Sequence, residues 1–299
     1  MHGMLPPRVL IVTASDSRFI GFLRGMLASA APFLARPGVE LACFDIGLEP
    51  ADRAWLTELG ARIAVPHAHF GIDAAAHRPA LLSFLARPFL PAYFPGYDVY
   101  VWVDSDVWLQ DVGVLDDYVA GARERGMAIT HETEQSYRFQ PRLLGWTAKH
   151  FLLGYGAGRG AWLLSRPHLN AGFFAVHADA PHWQAWAHRY QRAIDRTGRL
   201  VPHDQFALND ALHARGADRL DACILDPVHN WICDRGIPMW NDEAGCFCVP
   251  RAPYQPIRAL HLAGPGKHTS YDIRRTEGGS FATRLVYGAC AGAPAPALP

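Results

Sequence analysis

Two aspartates, Asp104 and Asp106, stand one residue apart in the run VWVDSDVWLQ (101–110), which is otherwise apolar, β-branched and aromatic. Carboxylates are rarely buried unless they are paired or bind a metal. In a strand, side chains two residues apart share a face, so the two charges would repel each other. A divalent cation such as Mn²⁺ or Mg²⁺ would supply the missing positive charge. The alternative is a solvated turn, since D-x-D is a common tripeptide, but the apolar flanks leave little room for one.

A histidine and a lysine occur together in the stretch RALHLAGPGKHTSYD (258–272), where His261 ends a short apolar run. A neutral imidazole is a suitable third ligand for Mn²⁺. Gly264 and Gly266 precede Lys267, and such a loop can surround a pyrophosphate with backbone N–H groups and one point charge. The alternative is a surface loop that carries these residues by chance.

Two further stretches combine polar side chains with elements of regular structure. NAGFF (170–174) offers the Asn170 amide and, at Gly172, a backbone that a ligand can approach closely, although an ordinary bulge explains the glycine too. HDQFALND (203–210) places Asp204 and Gln205 in the first turn of a predicted helix, where simple capping is the alternative role.

The elements that must position these residues alternate between strand and helix. Apolar runs at 8–14, 39–47, 61–66 and 97–103 predict strands, and residues 17–34, 51–60 and 77–93 carry apolar residues at helical spacing. Later segments predict strands at 126–132 and 169–178 and amphipathic helices at 182–198 and 203–216. This alternation predicts an α/β protein, a three-layer α/β/α sandwich. Residues 131–165 fit no pattern, 226–257 read as loop, and the segment from 286 to the end predicts a disordered tail.

Composition restricts the class of protein further. The 299 residues are half hydrophobic with a formal net charge of zero, which argues against nucleic acid as a partner. Neither a signal peptide nor a long apolar span is evident, so we expect a cytoplasmic protein without a transmembrane segment, and peripheral membrane contact stays open. The oligomeric state is not predicted.

The cysteines do not predict a metal site of their own. Four of the six fall between residues 223 and 248, but the spacing C-x9-C-x12-C-x-C matches no standard zinc frame. Free thiols are therefore the expected state.

Taken in order along the chain, these stretches resemble a known family. VTASDSRFIGFL, ARPFLPAYFPGYDVYVWVDSDV, NAGFF, HDQFALN and the pattern H-x-x-G-x-x-K are similar to nucleotide-sugar-dependent glycosyltransferases of the GT-A fold. That resemblance implies a mixed, mainly parallel, Rossmann-like sheet at the centre of the sandwich. The chain looks most like family 8, the group of glycogenin and of the bacterial lipopolysaccharide galactosyl- and glucosyltransferases. The family motif often continues as Lys-Pro-Trp, whereas here Lys267 is followed by His268, Thr269 and Ser270.

The resemblance implies a role for each candidate residue. Asp104, Asp106 and His261 would bind the metal, and Lys267 with the backbone around Gly264 and Gly266 would hold the β-phosphate of a UDP-sugar. Asp204 and Gln205 would be catalytic, gripping sugar hydroxyls and lying near the anomeric carbon. The remaining donor-binding positions would be Ala14, Asp16, Arg87, Ser105, Asn170 and Gly172.

The implied activity is metal-dependent transfer of a hexose from a UDP-sugar to a hydroxyl of a glycan, lipid-linked or polysaccharide acceptor, with retention of configuration. A single catalytic domain would span 1–285, with a nucleotide-binding half at 1–130 and a sugar and acceptor half at 131–285. Residues 226–242, which contain Trp231 and Trp240, could form the acceptor platform or a packed loop. Two alternatives stay open: an inactive nucleotide-sugar-binding protein, and a divalent-metal phosphohydrolase or nucleotidyltransferase.

Overall fold

The computed structural model describes residues 6–73, 79–198 and 204–289. The predicted tail, including Cys290, lies outside these residues from position 290 onward. His203, the first residue of the helix predicted at 203–216, also lies outside them.

A seven-stranded sheet forms the centre of the molecule. Its strands lie in the order β3-β2-β1-β4-β7-β6-β8. Their bounds are β1 Val9–Ser15, β2 Val39–Asp45, β3 Arg62–Ala64, β4 Val99–Val103, β6 Met127–His131, β7 Leu169–His177 and β8 Cys223–Leu225. Strand β7 is antiparallel to both of its neighbours, and the other pairings are parallel. The prediction of a mixed, mainly parallel sheet is therefore confirmed.

Helices cover both faces of this sheet, because alternate side chains of its strands are apolar on each face. Ile11 and Val101 face one core with Leu23 and Leu115, whereas Trp102 faces the other core with the helices that follow. The helices are α1 Ile20–Leu34, α2 Pro50–Glu58, α3 Pro79–Ala86, α4 Leu90–Tyr93, α5 Val114–Arg125, α8 His182–Thr197 and α9 Asp204–Leu212. The three-layer sandwich is thus confirmed.

The helix predicted across 77–93 is divided in the described part of that range. A short 3-10 turn, Arg87–Phe89, separates α3 from α4. Pro88 and Pro91 explain the division, because proline cannot donate the backbone hydrogen bond that a continuous helix needs.

The segment 226–257 contains short strands, so its interpretation as pure loop was wrong. Two- and three-residue strands, β9 Trp231–Ile232, β10 Met239–Asn241 and β11 Cys246–Cys248, lie within it. Strand β9 joins β5 Val107–Leu109 and β12 Ala259–His261 in a small sheet of order β5-β12-β9. Strands β13 Ser270–Arg274 and β14 Ser280–Arg284 form a hairpin.

The unplaced segment 131–165 forms two helices, α6 Pro141–Tyr155 and α7 Ala157–Leu164. Gly156 joins them with φ 79° and ψ 166°, a conformation that favours glycine. Five glycines between residues 145 and 160 interrupt the apolar periodicity, which is why the sequence pattern did not predict these helices.

Within the described residues, we find no helix that combines the length and the apolarity needed to cross a bilayer. The described cysteines are all free thiols.

Candidate functional site

The two aspartates lie in a tight turn at the point where the chain leaves the central sheet. Strand β4 ends at Val103, and the Asp104 backbone N–H donates to the Gly172 carbonyl of β7 at 2.8 Å. The Val107 N–H then donates to the Asp104 carbonyl at 3.0 Å and starts β5. This turn lies beyond the carboxyl end of β4, where ligands of open α/β sheets bind.

His261 lies beside the aspartates because strand β12 pairs with strand β5, which precedes it by about 150 positions in the chain. Strand β12 is antiparallel to β5, and His261 pairs with Val107, the residue after Asp106. Nε2 of His261 lies 3.8 Å from Asp104 Oδ2 and 3.6 Å from Asp106 Oδ1. One ligand atom from each of the three residues falls within 4.8 Å of the others. The predicted metal-binding residues are thus brought together.

The second oxygen of each carboxylate contacts a cation from the protein. Asp104 Oδ1 accepts from Arg87 Nη2 at 2.6 Å and from Trp102 Nε1 at 2.7 Å. Asp106 Oδ2 accepts from Lys267 Nζ at 2.6 Å. Burial alone would raise the pKa of Asp106, but His261 and Lys267 together hold that pKa below its ordinary value. Both side chains are therefore oriented with one oxygen toward His261.

These residues fit a divalent cation. Two carboxylate oxygens and one imidazole nitrogen are the donor set that Mn²⁺ accepts. Gly172 leaves room beside them, since a Cβ there would lie 2.3 Å from His261 Cε1 and 2.9 Å from Asp104 Oδ2. Only glycine allows β7 to pass this close to the donor atoms.

A cavity of 230 Å³ opens beside the aspartates, between the ends of β1 and β4. The chain order of the sheet reverses between these two strands, which makes this the expected place for a nucleotide. Of the predicted donor-binding positions, Ala14, Asp16, Arg87, Asp104, Ser105 and Lys267 line it together with Asp106. Asn170, Gly172, Gly264 and Gly266 do not line it. Asp16 also accepts hydrogen bonds from the backbone N–H groups of Arg18 and Phe19, just before α1.

A buried hydrogen-bond network that the sequence did not predict adjoins Gly172. Its centre is Glu132, which follows β6 and accepts from Asn170 Nδ2 at 2.6 Å, Gln205 Nε2 at 3.0 Å and Arg235 Nη2 at 2.5 Å. Burial would raise the pKa of Glu132, yet His168 and Arg235, with these hydrogen bonds, lower it. The sequence contained a signal for this carboxylate, because Glu132 directly follows strand β6 as Asp104 directly follows strand β4.

Asn170 and Gln205 are held by this network. Asn170 Oδ1 accepts from the Gly172 N–H at 2.8 Å, so the network adjoins the metal-binding residues. Gln205 Oε1 accepts from the Ala171 N–H at 3.0 Å, and its Nε2 lies 2.7 Å from His168 Nε2. Both amides are therefore fixed in orientation before any ligand binds.

Asp204 reaches the site through Arg87. It begins α9, is 1% exposed, and its Oδ2 accepts from Arg87 Nη1 at 2.8 Å. The guanidinium of Arg87 thus joins Asp204 to Asp104, and it lies 4.3 Å from the Trp102 ring. Burial raises the pKa of Asp204 to about 6, with Arg87 opposing that rise and Asp104 adding to it.

The glycines before Lys267 are required by packing. Gly264 has φ 85°, a value that favours glycine, and a Cβ there would lie 3.1 Å from the Asp234 carboxylate. A Cβ on Gly266 would lie 2.2 Å from the Tyr271 hydroxyl. These contacts shape the 3-10 turn Pro265–His268 that carries Lys267 toward Asp106.

The fold is the GT-A fold of nucleotide-sugar glycosyltransferases, as comparison with solved structures shows. No protein-family model matches the chain, and no curated protein sequence matches it either.

Among the similar structures is the galactosyltransferase LgtC in complex with donor and acceptor sugar analogues. The two chains are 14% identical in sequence and superpose with a TM-score of 0.53. The match covers 87% of this chain and 90% of LgtC. An active-site mutant of LgtC, glutamine to glutamate, gives a TM-score of 0.52 at 14% identity over 86% and 88% of the two chains. The bifunctional glycosyltransferase WbbM in its apo form matches at 16% identity and a TM-score of 0.52, over 89% of this chain and 47% of WbbM.

Proposed function

We propose that this protein is a metal-dependent glycosyltransferase that moves a hexose from a UDP-sugar to an acceptor hydroxyl with retention of configuration. One observation carries the proposal: Asp104, Asp106 and His261 converge beside the 230 Å³ cavity at the switch point of a glycosyltransferase fold. The similar structures named above are glycosyltransferases, and LgtC was solved with donor and acceptor sugar analogues.

In this proposal the cavity holds the nucleotide. Ala14 and Asp16 contact uracil or ribose, and the diphosphate lies beside the metal-binding residues and Lys267. Bound Mn²⁺ or Mg²⁺ supplies Lewis-acid stabilisation of the leaving diphosphate. Lys267, whose Nζ lies 2.6 Å from Asp106, adds a second positive charge on the same side.

The sugar then lies toward Arg87, Gly172 and the network of Asn170 and Gln205. The two buried carboxylates nearby that are not in the metal-binding set are engaged, Asp204 by Arg87 and Glu132 by three donors, so neither is free to act as a nucleophile. This favours front-face transfer. The bond from the anomeric carbon to the phosphate oxygen breaks as the acceptor oxygen bonds to that carbon, and the acceptor proton moves to the leaving phosphate.

The acceptor is expected on the side of residues 131–168. A cavity of 370 Å³ there is lined by Glu132, His168 and Arg235 and by side chains of α6 and α7. The predicted platform at 226–242 contributes Arg235 to it, whereas Trp231 is fully buried and therefore serves as core.

A nucleotide panel tests the proposal. We expect UDP with Mn²⁺ to raise the melting temperature more than ADP or GDP does, since a ligand stabilises the state that it binds. Slow release of UDP from a UDP-hexose, followed by chromatography, should accompany binding. Binding without hydrolysis and without transfer to any glycan in a broad panel would favour an inactive nucleotide-sugar-binding protein instead.

Removing the lysine should separate phosphate from nucleoside recognition. We expect Lys267→Ala to weaken UDP binding by roughly 1.5 to 3 kcal/mol, the scale of a charge-assisted hydrogen bond, and to leave uridine binding nearly unchanged. Calorimetric titration of both ligands measures the difference, and Lys267→Arg, which keeps the charge, is the control. Equal losses for UDP and uridine would show that Lys267 does not hold a phosphate.

A further inference from the structure

The surface of α6 and the segment before it combines two unusual properties. The first is a concentration of exposed apolar side chains. Seven large hydrophobic residues are more than about a third exposed in the described chain, and five of them lie between residues 139 and 153. They are Phe139 at 76%, Leu144 at 49%, Trp146 at 39%, Leu152 at 41% and Leu153 at 44%.

The second property is a one-sided charge. No aspartate or glutamate occurs from Gln135 to Ala178, whereas the same stretch holds the basic residues Arg138, Arg142, Lys149, Arg159 and Arg166. Arg159 pairs with Asp210 of α9. Arg138, Arg142 and Lys149 are exposed and form no ion pair with the residues that the structure describes, so their charge faces solvent.

We propose that this surface, Phe139 to Leu153, docks onto a membrane with anionic lipids. Leucine, phenylalanine and tryptophan that alternate with lysine and arginine on an exposed helix are the residues that insert at a lipid interface and attract its headgroups. The absence of acidic side chains from the stretch removes the repulsion that such a surface would otherwise meet. A protein partner would need no such uniform sign of charge.

The surface adjoins the cavity that we assign to the acceptor. Phe139 and Leu144 line the 370 Å³ cavity together with Glu132, His168 and Arg235. Docking would therefore bring the mouth of this cavity to the bilayer, which suits an acceptor glycan carried on a lipid. This last step rests on the proposed function, whereas docking itself does not.

Vesicle sedimentation of the full chain tests the docking. We expect binding to phosphatidylcholine vesicles that contain phosphatidylglycerol and little binding to phosphatidylcholine alone. Leu152→Ser with Leu153→Ser should lower the partition coefficient about tenfold through lost apolar burial. Lys149→Ala should lower it about fivefold.

Matched controls lie elsewhere on the surface. Val65→Ser alters a side chain that is 63% exposed, and Arg123→Ala removes an exposed arginine of α5; both should bind vesicles as the wild type does. Each variant should keep its far-UV spectrum and its UDP affinity, which separates loss of docking from loss of the nucleotide site.

Three results would overturn the proposal. The first is equal binding of the α6 variants and the wild type to anionic vesicles. The second is no preference for anionic lipid. The third is a concentration-dependent dimer, seen by light scattering, that the same variants abolish; the surface would then be an interface between copies of this chain.

Discussion

Asp106→Ala should abolish the Mn²⁺ dependence of UDP binding and lower turnover of a UDP-hexose by roughly a thousandfold, the equivalent of about 4 kcal/mol. The substitution removes one of the three donor atoms that converge within 4.8 Å, and it leaves Lys267 without its carboxylate partner. Two remaining donors hold a cation poorly. Titration of UDP with and without Mn²⁺ measures the first effect, and a UDP-release assay measures the second.

Asp111→Ala is the matched control for this variant. Asp111 lies five positions further along, is exposed, and pairs with Arg258 rather than with the site. We expect it to bind UDP and Mn²⁺ as the wild type does. If Asp106→Ala still binds UDP more tightly in the presence of Mn²⁺, the metal is held elsewhere.

Asp204→Asn should lower turnover about a hundredfold while UDP affinity and melting temperature stay close to those of the wild type. Asparagine keeps the size of the side chain and one acceptor for Arg87, so the fold around α9 is preserved. It loses the negative charge of Asp204, which pairs with the Arg87 guanidinium alongside Asp104. That charge would also stabilise positive character at the anomeric carbon. Steady-state release of UDP from a UDP-hexose measures the change.

Asp210→Asn provides the control on the same helix. Asp210 is 3% exposed and pairs with Arg159 and Arg189, outside the predicted donor-binding residues. Its replacement should affect stability and leave the ratio of turnover to UDP affinity unchanged. An Asp204→Asn variant with full activity would remove Asp204 from the catalytic residues and leave the proposal to the metal-binding residues and Lys267.

The stability of the wild type relative to Asp204→Asn should depend on pH. Burial raises the pKa of Asp204 from 3.8 to about 6, so the folded state binds this proton more tightly than the unfolded state does. The group therefore contributes stability that is fully present below pH 3.8 and is lost as the pH rises through about 6. In metal-free protein, the free energy of unfolding of the wild type relative to Asp204→Asn should fall by about 3 kcal/mol across that range. Denaturant melts at several pH values test this, and a flat difference would contradict it.

Six of the seven strands of the central sheet, and the position of Asp104 and Asp106, could be predicted from the sequence because they depend on local patterns. The seventh strand, β8, has only three residues and was not predicted. Continuous apolar strands predicted a sheet covered on both faces, and D-x-D followed one of them directly. The approach of His261 to the aspartates depends on the pairing of β5 with β12, which no local pattern encodes. It entered through the resemblance of H-x-x-G-x-x-K to a family motif.

The network around Glu132 was not predicted for a related physical reason. Its members, Asn170, Gln205 and Arg235, come from a strand, a helix and a loop far apart in the chain. The buried carboxylate is stable only because all of them meet it at once, and a single stretch of sequence shows only one partner. The short strands of 226–257 were missed because two or three residues carry no measurable alternation.

Because β7 runs antiparallel to β6, the segment that joins them leaves the sheet and returns to it at the same place. Strand β6 ends where β7 begins, with His131 opposite Leu169 and the Glu132 N–H donating to the His168 carbonyl at 2.7 Å. The thirty-odd residues between Glu132 and His168, which include α6 and α7, therefore leave and rejoin the sheet at one point. An exchange of this segment would alter the proposed acceptor surface without moving Asp104, Asp106 or His261. In the proposed function, a change of acceptor would then require replacement of this one segment, while the proposed donor-binding residues stay unchanged.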